Sequence, residues 1–278
     1  MDSFLRDIES LNFTPVEECV QLSSGVRIVE GCVLLNGSGD SHSIRVKRSD
    51  DEVKIVYLHS VGGEELSVEV ERGAKLSVVE VVSEGVESKI RFSQQSDSQL
   101  HVTALQLGES ELDYTLDLDG EGCDCRVEQL QLTTNSDRAL SRVRVNHNRA
   151  NCTSSTQSRA IAGGESECNF WGLIYVAKDS QRTEAYQNSR NVALTPTAKI
   201  VAEPQLEIYA DDVKCSHGAT IGEMNHDAIF YMRQRGLSEA QARKVQLEGF
   251  AGQLAQECGV EQMSEALMGL ISDRLTHL

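Results

Sequence analysis

"LHVTALQLGESELDYTLDLDG", Leu100 to Gly120, sets an apolar residue at every second position in two successive runs: Leu100, Val102 and Ala104, then Leu112, Tyr114, Leu116 and Leu118. Such alternation is what a strand shows when one face is buried and the other is wet. Gly108 parts the two runs and Asp119-Gly120 closes the second, so each reads as a short strand bounded by turn formers.

The same beat extends upstream, where Leu66, Val68 and Val70 alternate with polar residues and Gly62-Gly63 and Gly73 supply turns. Strand starts are expected near 66, 76, 90, 100, 112 and 123, roughly 10 to 14 residues apart. No residue-level motif recurs. Short strands at a steady interval, with only three prolines and one tryptophan, suit a stacked solenoid whose coils bury their inner faces on one another. The fold class is mainly β, with a parallel β-helix as the first reading; a β-sandwich or jelly roll shares the strand spacing and stays open on periodicity alone. The expected layout is an N-terminal segment over 1–39 with a short helix within residues 1–13 and the first strands, a β-helix core over 40–224, and a helical region over 225–278.

A chain of 278 residues can bury an ordinary core without disulfides or metal. Its 26 Lys and Arg face 43 Asp and Glu, and the resulting formal charge of -17 repels phosphate backbones and anionic lipid. Nucleic acid and membrane are not expected partners. The start "MDSFLRDIES" is charged and lacks the apolar run of a signal peptide, and no later stretch approaches a membrane span, so a cytoplasmic location is expected. The eight cysteines, at 19, 32, 123, 125, 152, 168, 215 and 258, are scattered rather than framed, which in a reducing compartment predicts free thiols or ligands.

After Met224 the pattern turns helical. Asn225 is an N-cap for "HDAIFYMRQR", Asp227 suits the first turn, Arg233 and Arg235 suit the last, and Gly236 can take the left-handed C-terminal conformation. Ser238 with Gln241 has capping-box spacing, and Leu247, Phe250, Ala251 and Leu254 form one apolar stripe. "SEALMGLISDRL" adds a third helix with Leu267, Leu270 and Ile271 inward. These helices are expected to cap the open end of the solenoid, whose unpaired edges invite aggregation. "IFYMRQRGL" also displays Phe230, Tyr231, Met232 and two arginines, a mixture enriched at interface centres.

Cys215 and His217, one residue apart, point to the same side of an extended segment. Thiolate and imidazole suit soft and borderline metals, iron-sulfur clusters included. Two ligands do not close a site, so a partner chain would have to supply the rest. Cys123 and Cys125 repeat the spacing and read either as a metal or persulfide relay or as two small core side chains, the second being preferred. His42, His59, His101, His147 and His226 show no ligand spacing. Asp211 and Asp212 are adjacent, so on a strand they face opposite ways, a poor geometry for an acid and base pair. No G-x-x-x-x-G-K-[ST] occurs; Gly163-Gly164, like Gly62-Gly63, is a short turn.

Residues 204–222, "PQLEIYADDVKCSHGATIG", are similar, densely and specifically, to the SufB/SufD family of iron-sulfur cluster assembly scaffolds, and to its SufD branch in particular. "DAIFYMRQRGLSEAQARKVQLEGF" resembles the family's C-terminal helices with less identity, and residues 40–195 agree with it in strand rhythm alone. The resemblance implies a right-handed parallel β-helix with a C-terminal helical region, and a non-catalytic scaffold role beside a SufB-like subunit and the ATPase SufC. Under it, His217 matches a cluster-assembly histidine at the SufB interface and Cys215 its neighbouring cysteine, as metal ligands shared with a partner chain. Asp227 to Gly236, with Phe230, Tyr231, Arg233, Arg235 and Gly236, matches the region that docks the ATPase. An iron-sulfur cluster is then expected transiently and only in the complex, with none held tightly by the isolated chain.

Two departures follow from the same resemblance. Family members carry an N-terminal helical domain, whereas strand rhythm here begins within about forty residues, so this chain is expected to be a short form. Ala198 stands where the SufB branch has a cysteine, and Gly218 where it has an acid. The chain is therefore expected to need a SufB-like subunit, or to pair with itself as a homodimer. The reading from another class is a β-helix carbohydrate-active enzyme acting through Asp211 and Asp212.

Overall fold

A computed structural model describes residues 20–22, 26–29, 32–35, 42–59 and 64–278. The expected helix within residues 1–13 and the Gly62-Gly63 turn lie outside them. In chain order the strands are β1 (Val20–Leu22), β2 (Val26–Val29), β3 (Cys32–Leu35), β4 (His42–Val46), β5 (Val53–His59), β6 (Glu64–Val70), β7 (Lys75–Val82), β8 (Val86–Gln94), β9 (Gln99–Leu107) and β10 (Ser110–Leu118), then β11 (Asp124–Thr133), β12 (Arg138–His147), β13 (Thr153–Ala162), β14 (Glu167–Val176), β15 (Thr183–Ala193), β16 (Lys199–Ile208) and β17 (Val213–Gly222). The quoted stretch is β9, the turn at Gly108, and β10.

Successive strands of the coil alternate between two sheets. One sheet runs β1-β4-β6-β8-β10-β12-β14-β16 and the other β17-β15-β13-β11-β9-β7-β5-β3-β2. From β4 onward each strand pairs in parallel with the strand two further along, as Ser110 does with Val86 on one side and Ala139 on the other. That parallel register fits a flattened parallel β-helix with two strands per coil and disposes of the sandwich, whose strands run antiparallel. β1 against β4 and β2 against β3 are antiparallel. The coil widens along its length: the Arg45–Glu69 ladder step is 24 residues and the Glu184–Lys214 step is 30.

Alternation builds the interior. On β8, Val86, Ile90 and Phe92 are buried while Glu87, Lys89 and Arg91 face water. Stacked above and below them are Leu66, Val68, Leu112, Tyr114 and Leu116, all in one core. Each fully buried side chain of this size contributes roughly 1.5–3 kcal/mol, so the stacked interior is the principal source of stability. The outer face of the even-numbered sheet carries ion pairs instead, including Arg45 with Glu69 at 2.7 Å, Arg91 with Asp117 at 2.7 Å and Arg142 with Glu111 at 3.3 Å. Exposed pairs contribute about 0–1 kcal/mol each and serve register more than stability.

The turns stack as well. Gly73, Asp97, Gly122, Asn151 and Arg182 occupy the left-handed region at successive corners. Each donates its backbone N–H to the corner of the next coil, as Asp97 does to Glu121 O at 2.8 Å and Asn151 to Gln181 O at 3.0 Å. Glycine, asparagine and aspartate adopt that conformation at lowest cost.

The helices are α1 (His226–Gln234), α2 (Glu239–Ala251), α3 (Gln253–Gln256) and α4 (Ser264–Leu275), with a 3-10 turn at Glu261–Met263. Asn225 caps α1 by accepting from Ala228 N, and Ser238 and Gln241 form the capping box of α2. These helices do not cap the open end, contrary to the expectation from edge protection. They lie on the outer face of the odd-numbered sheet, where Leu247, Ala251, Leu254, Leu267 and Ile271 pack against Val79, Val81, Leu105, Leu130, Leu132 and Ile161. A buried Arg159 on β13 anchors them, reaching Glu128 at 3.4 Å, Glu257 at 3.3 Å and Gln253 at 3.2 Å. The reason is apolar surface: the outer face of β7, β9 and β11 is too hydrophobic to leave wet, and the helices cover it.

Candidate functional site

Because the helices lie on the flank, no described helix or strand covers the last coil. Among the described residues β16 pairs only with β14 and β17 only with β15. Nearly every residue of β17 from Ser216 on is exposed, and Val201, Ile208, Tyr209 and Ile221 are large exposed apolar side chains there. Two neighbouring strands thus present free backbone donors and acceptors together with apolar side chains, a surface suited to strand addition by another chain.

Cys215 and His217 sit on this coil and share a side of β17, as their spacing requires. In register they stand over Ala185 and Gln187 of β15, both buried and inward-facing. Cys215 is half-buried against the small cluster of Ile174, Val176, Ala185 and Ala210, and burial pushes its thiol pKa up. His217 is exposed. Below it, both polar atoms of the Gln187 amide are buried with no hydrogen-bond partner among the described residues. Gly172 leaves room for that amide: a Cβ there would come within 2.5 Å of Gln187 Nε2. The mouth of the coil therefore offers one thiol, one imidazole and an amide beneath them, and among the described residues no three His, Cys, Asp or Glu converge to close a metal site. A thiol and an imidazole are donors of the kind that soft or borderline metals take.

Three residues, Glu223–Asn225, join β17 to α1. Ile229 is buried, whereas Phe230 is 62% and Tyr231 57% exposed. The Arg235 guanidinium lies 4.7 Å from the Tyr231 ring centroid, and Arg233 pairs with Glu239 at 3.2 Å. Gly236 takes the left-handed conformation that ends the helix. Met232, expected on the display face, turns inward to the helix and sheet cluster. Asp211 and Asp212 occupy the exposed turn between β16 and β17, where Asp212 accepts from Arg182 N at 2.6 Å. Cys123 and Cys125 are both buried, and a third thiol, Cys152, lies next to Cys123, a neighbour that sequence spacing did not reveal.

A profile described as "SUF system FeS cluster assembly, SufBD core domain" matches residues 44–250. The chain belongs to the SufBD family. Among its relatives in this family, the iron-sulfur cluster assembly protein SufD of Escherichia coli K12 is 33% identical over 158 residues, which are 57% of this chain and 37% of that protein. An iron-sulfur cluster assembly SufBD family protein of Synechocystis is 36% identical over 116 residues, 42% of this chain and 26% of that protein. One from Mycobacterium leprae is 26% identical over 250 residues, 84% of this chain and 64% of that protein. The matches thus span less than two thirds of each relative. Within the SufBD match fall the terminal coil with Cys215 and His217, the linker, and the whole of α1, whereas α3 and α4 lie beyond it. No helix among the described residues is long and apolar enough to cross a membrane.

Proposed function

We propose that this chain is a SufD-like, non-catalytic scaffold subunit of iron-sulfur cluster assembly. Its terminal coil pairs, through the edges of β16 and β17, with the matching edge of a SufB-like subunit or of a second copy of the chain. The cluster is cargo, built across the junction on donors from both sides, with His217 and Cys215 as this chain's share. The observation that carries the reading is the half-complete donor set on an uncovered strand edge. A thiolate and a neutral imidazole each donate an electron pair to iron.

The exposed face of α1 is the docking surface for a SufC-like ATPase. Phe230 and Tyr231 supply apolar anchors and Arg235 and Arg233 supply charge, the composition of an interface centre. The three-residue linker then couples α1 to β17, so that a displacement of the ATPase moves the strand that bears the donors. Nucleotide hydrolysis is done by the partner, and this chain transmits position.

Coexpression with a SufB-like and a SufC-like protein tests the reading. A stable complex that assembles a chromophoric cluster anaerobically from iron and sulfide is the expected result, with Ile221→Lys on the β17 edge abolishing pairing. Failure of the three chains to associate, or full pairing by the Ile221→Lys variant, would reject it.

A further inference from the structure

At a corner between the two sheets, Cys123 and Cys152 occupy the same ladder position on adjacent coils. Asp124 is in register with Thr153, which sets residue 123 beside residue 152, and Thr153 N donates to Cys123 O at 2.8 Å. Adjacent strands lie about 4.8 Å apart, within the Cα separation of about 4.4–6.8 Å that a disulfide accepts. The two thiols are immediate neighbours. Both sulfurs also lie 3.2 Å from the same acceptor, the Gly120 carbonyl oxygen. One coil earlier, Ser98 Oγ donates to Cys123 Sγ at 3.8 Å. Among the described residues the other interior thiols lack such a partner: Cys125 is stacked between Leu100 and Ser154, and Cys168 contacts Thr133 Oγ1 at 3.1 Å.

Both cysteines are buried, and the residue whose carbonyl contacts their sulfurs borders a groove. Gly120 lines a groove of about 380 Å³ together with Arg72, Asp97 and Arg149, and the same residue's carbonyl holds both thiols. Gly120 carries no side chain, and none fits there, because a Cβ would lie 1.9 Å from Ser96 N. The two thiols are also unequal. The contact between them draws Cys123 down and holds Cys152 up, and burial adds to the rise at Cys152. Cys123, whose sulfur also accepts from Ser98 Oγ, is taken as the nucleophile and Cys152 as the resolving thiol.

We propose that Cys123 and Cys152 form a peroxide-oxidisable dithiol that closes into a disulfide between adjacent coils. The Cys123 thiolate attacks one oxygen of hydrogen peroxide; an S–O bond forms, the O–O bond breaks, and the product is the Cys123 sulfenic acid with hydroxide. The Cys152 sulfur then attacks the Cys123 sulfur; the S–S bond forms, the S–O bond breaks, and hydroxide leaves with the Cys152 proton as water. Both sulfurs are oxidised and the peroxide is reduced. A small dithiol reductant reverses the step by exchange. The product staples two coils in the middle of the ladder, away from the terminal coil and from α1.

Peptide mapping of the full, reduced chain tests this. After treatment with stoichiometric hydrogen peroxide at neutral pH, the chain is denatured, alkylated, digested without reduction and read by mass spectrometry. Loss of two hydrogens, two fewer alkylatable thiols, and one cross-linked peptide joining positions 123 and 152 are expected, all reversed by dithiothreitol. In Cys152→Ser the Cys123 sulfenic acid should persist and be captured by dimedone. The wild-type map decides the matter even where that variant does not fold. Retention of both thiols under peroxide that oxidises the half-buried Cys215, or a linkage to any other cysteine, would overturn the proposal.

Discussion

His217 stands directly above Gln187: the two are register partners on β17 and β15, yet Gln187 is 1% exposed and its neighbour above is open to solvent. Ending the coil there turns an interior ladder position into a surface one. A residue whose counterpart one coil earlier is sealed in the core becomes available to another chain, and the same holds for Cys215 above Ala185.

Replacing His217 by Ala removes an exposed imidazole that has no partner to lose among the described residues. Stability should change by less than about 0.5 kcal/mol, as for surface substitutions generally, and complex formation should persist. Cluster assembly in the complex should fall about tenfold or more, since one ligand of a shared set is gone. Thermal unfolding and the visible absorption of reconstituted complex measure the two effects; unchanged absorption would remove His217 from the site.

Phe230→Ala and Arg235→Glu alter only the outer face of α1. Each should weaken binding of a SufC-like ATPase by about 1–3 kcal/mol, the range of interface anchors, or about 5- to 150-fold in Kd. Titration calorimetry reads this directly. The isolated chain should unfold at the wild-type temperature, because Ile229 and Met232, not Phe230, hold the helix to the sheet.

Glu128 makes stability depend on pH. Burial, and then the Glu257 carboxylate, raise its pKa from 4.5 to about 7 against the pull of Arg159. The folded chain keeps a proton that the unfolded chain releases, so this contribution is complete below about pH 4.5 and is lost as pH rises to about 7. Buried His147 and half-buried His101 act in the other direction: burial lowers both to about 4, so their contribution is lost as pH falls from 6.5 towards 4. Glu128→Gln should therefore gain in urea midpoint relative to wild type between about pH 5 and 7, with the gap widening as pH rises. A gap that is flat across that window would contradict the assignment.

Gly120 and Gly85 separate steric from conformational cost. Gly85 has φ of 79° and open space around its Cα, so Gly85→Ala pays only the left-handed penalty of about 1–2 kcal/mol. Gly120 is not in that region, but an added Cβ would overlap the Ser96 backbone. Gly120→Ala should cost about 3 kcal/mol or more, ranking well below Gly85→Ala in chemical denaturation.

How far the sequence could be read varies with the element. β8 and β10 declare themselves because one face is wet and alternation is undisturbed. On β9 and β11 the outward Leu105, Leu130 and Leu132 interrupt that alternation, and they are the trace of the helices that cover them. Periodicity registers such an interruption without naming the partner. Likewise Met232 and Phe230 are both apolar residues of one helix, and only the direction in which α1 lies on the sheet decides that the first is packed and the second displayed.

By itself, the sequence determined the strand beat, the helix caps at Asn225 and Ser238, and the shared side of Cys215 and His217, because each depends on neighbours within a few residues. Tertiary structure decided the parallel pairing, the placement of the helices on the flank rather than over the end, and the meeting of Cys123 with Cys152. Those outcomes depend on contacts between residues a full coil or more apart, whose energies come from stacking and burial that no local pattern encodes.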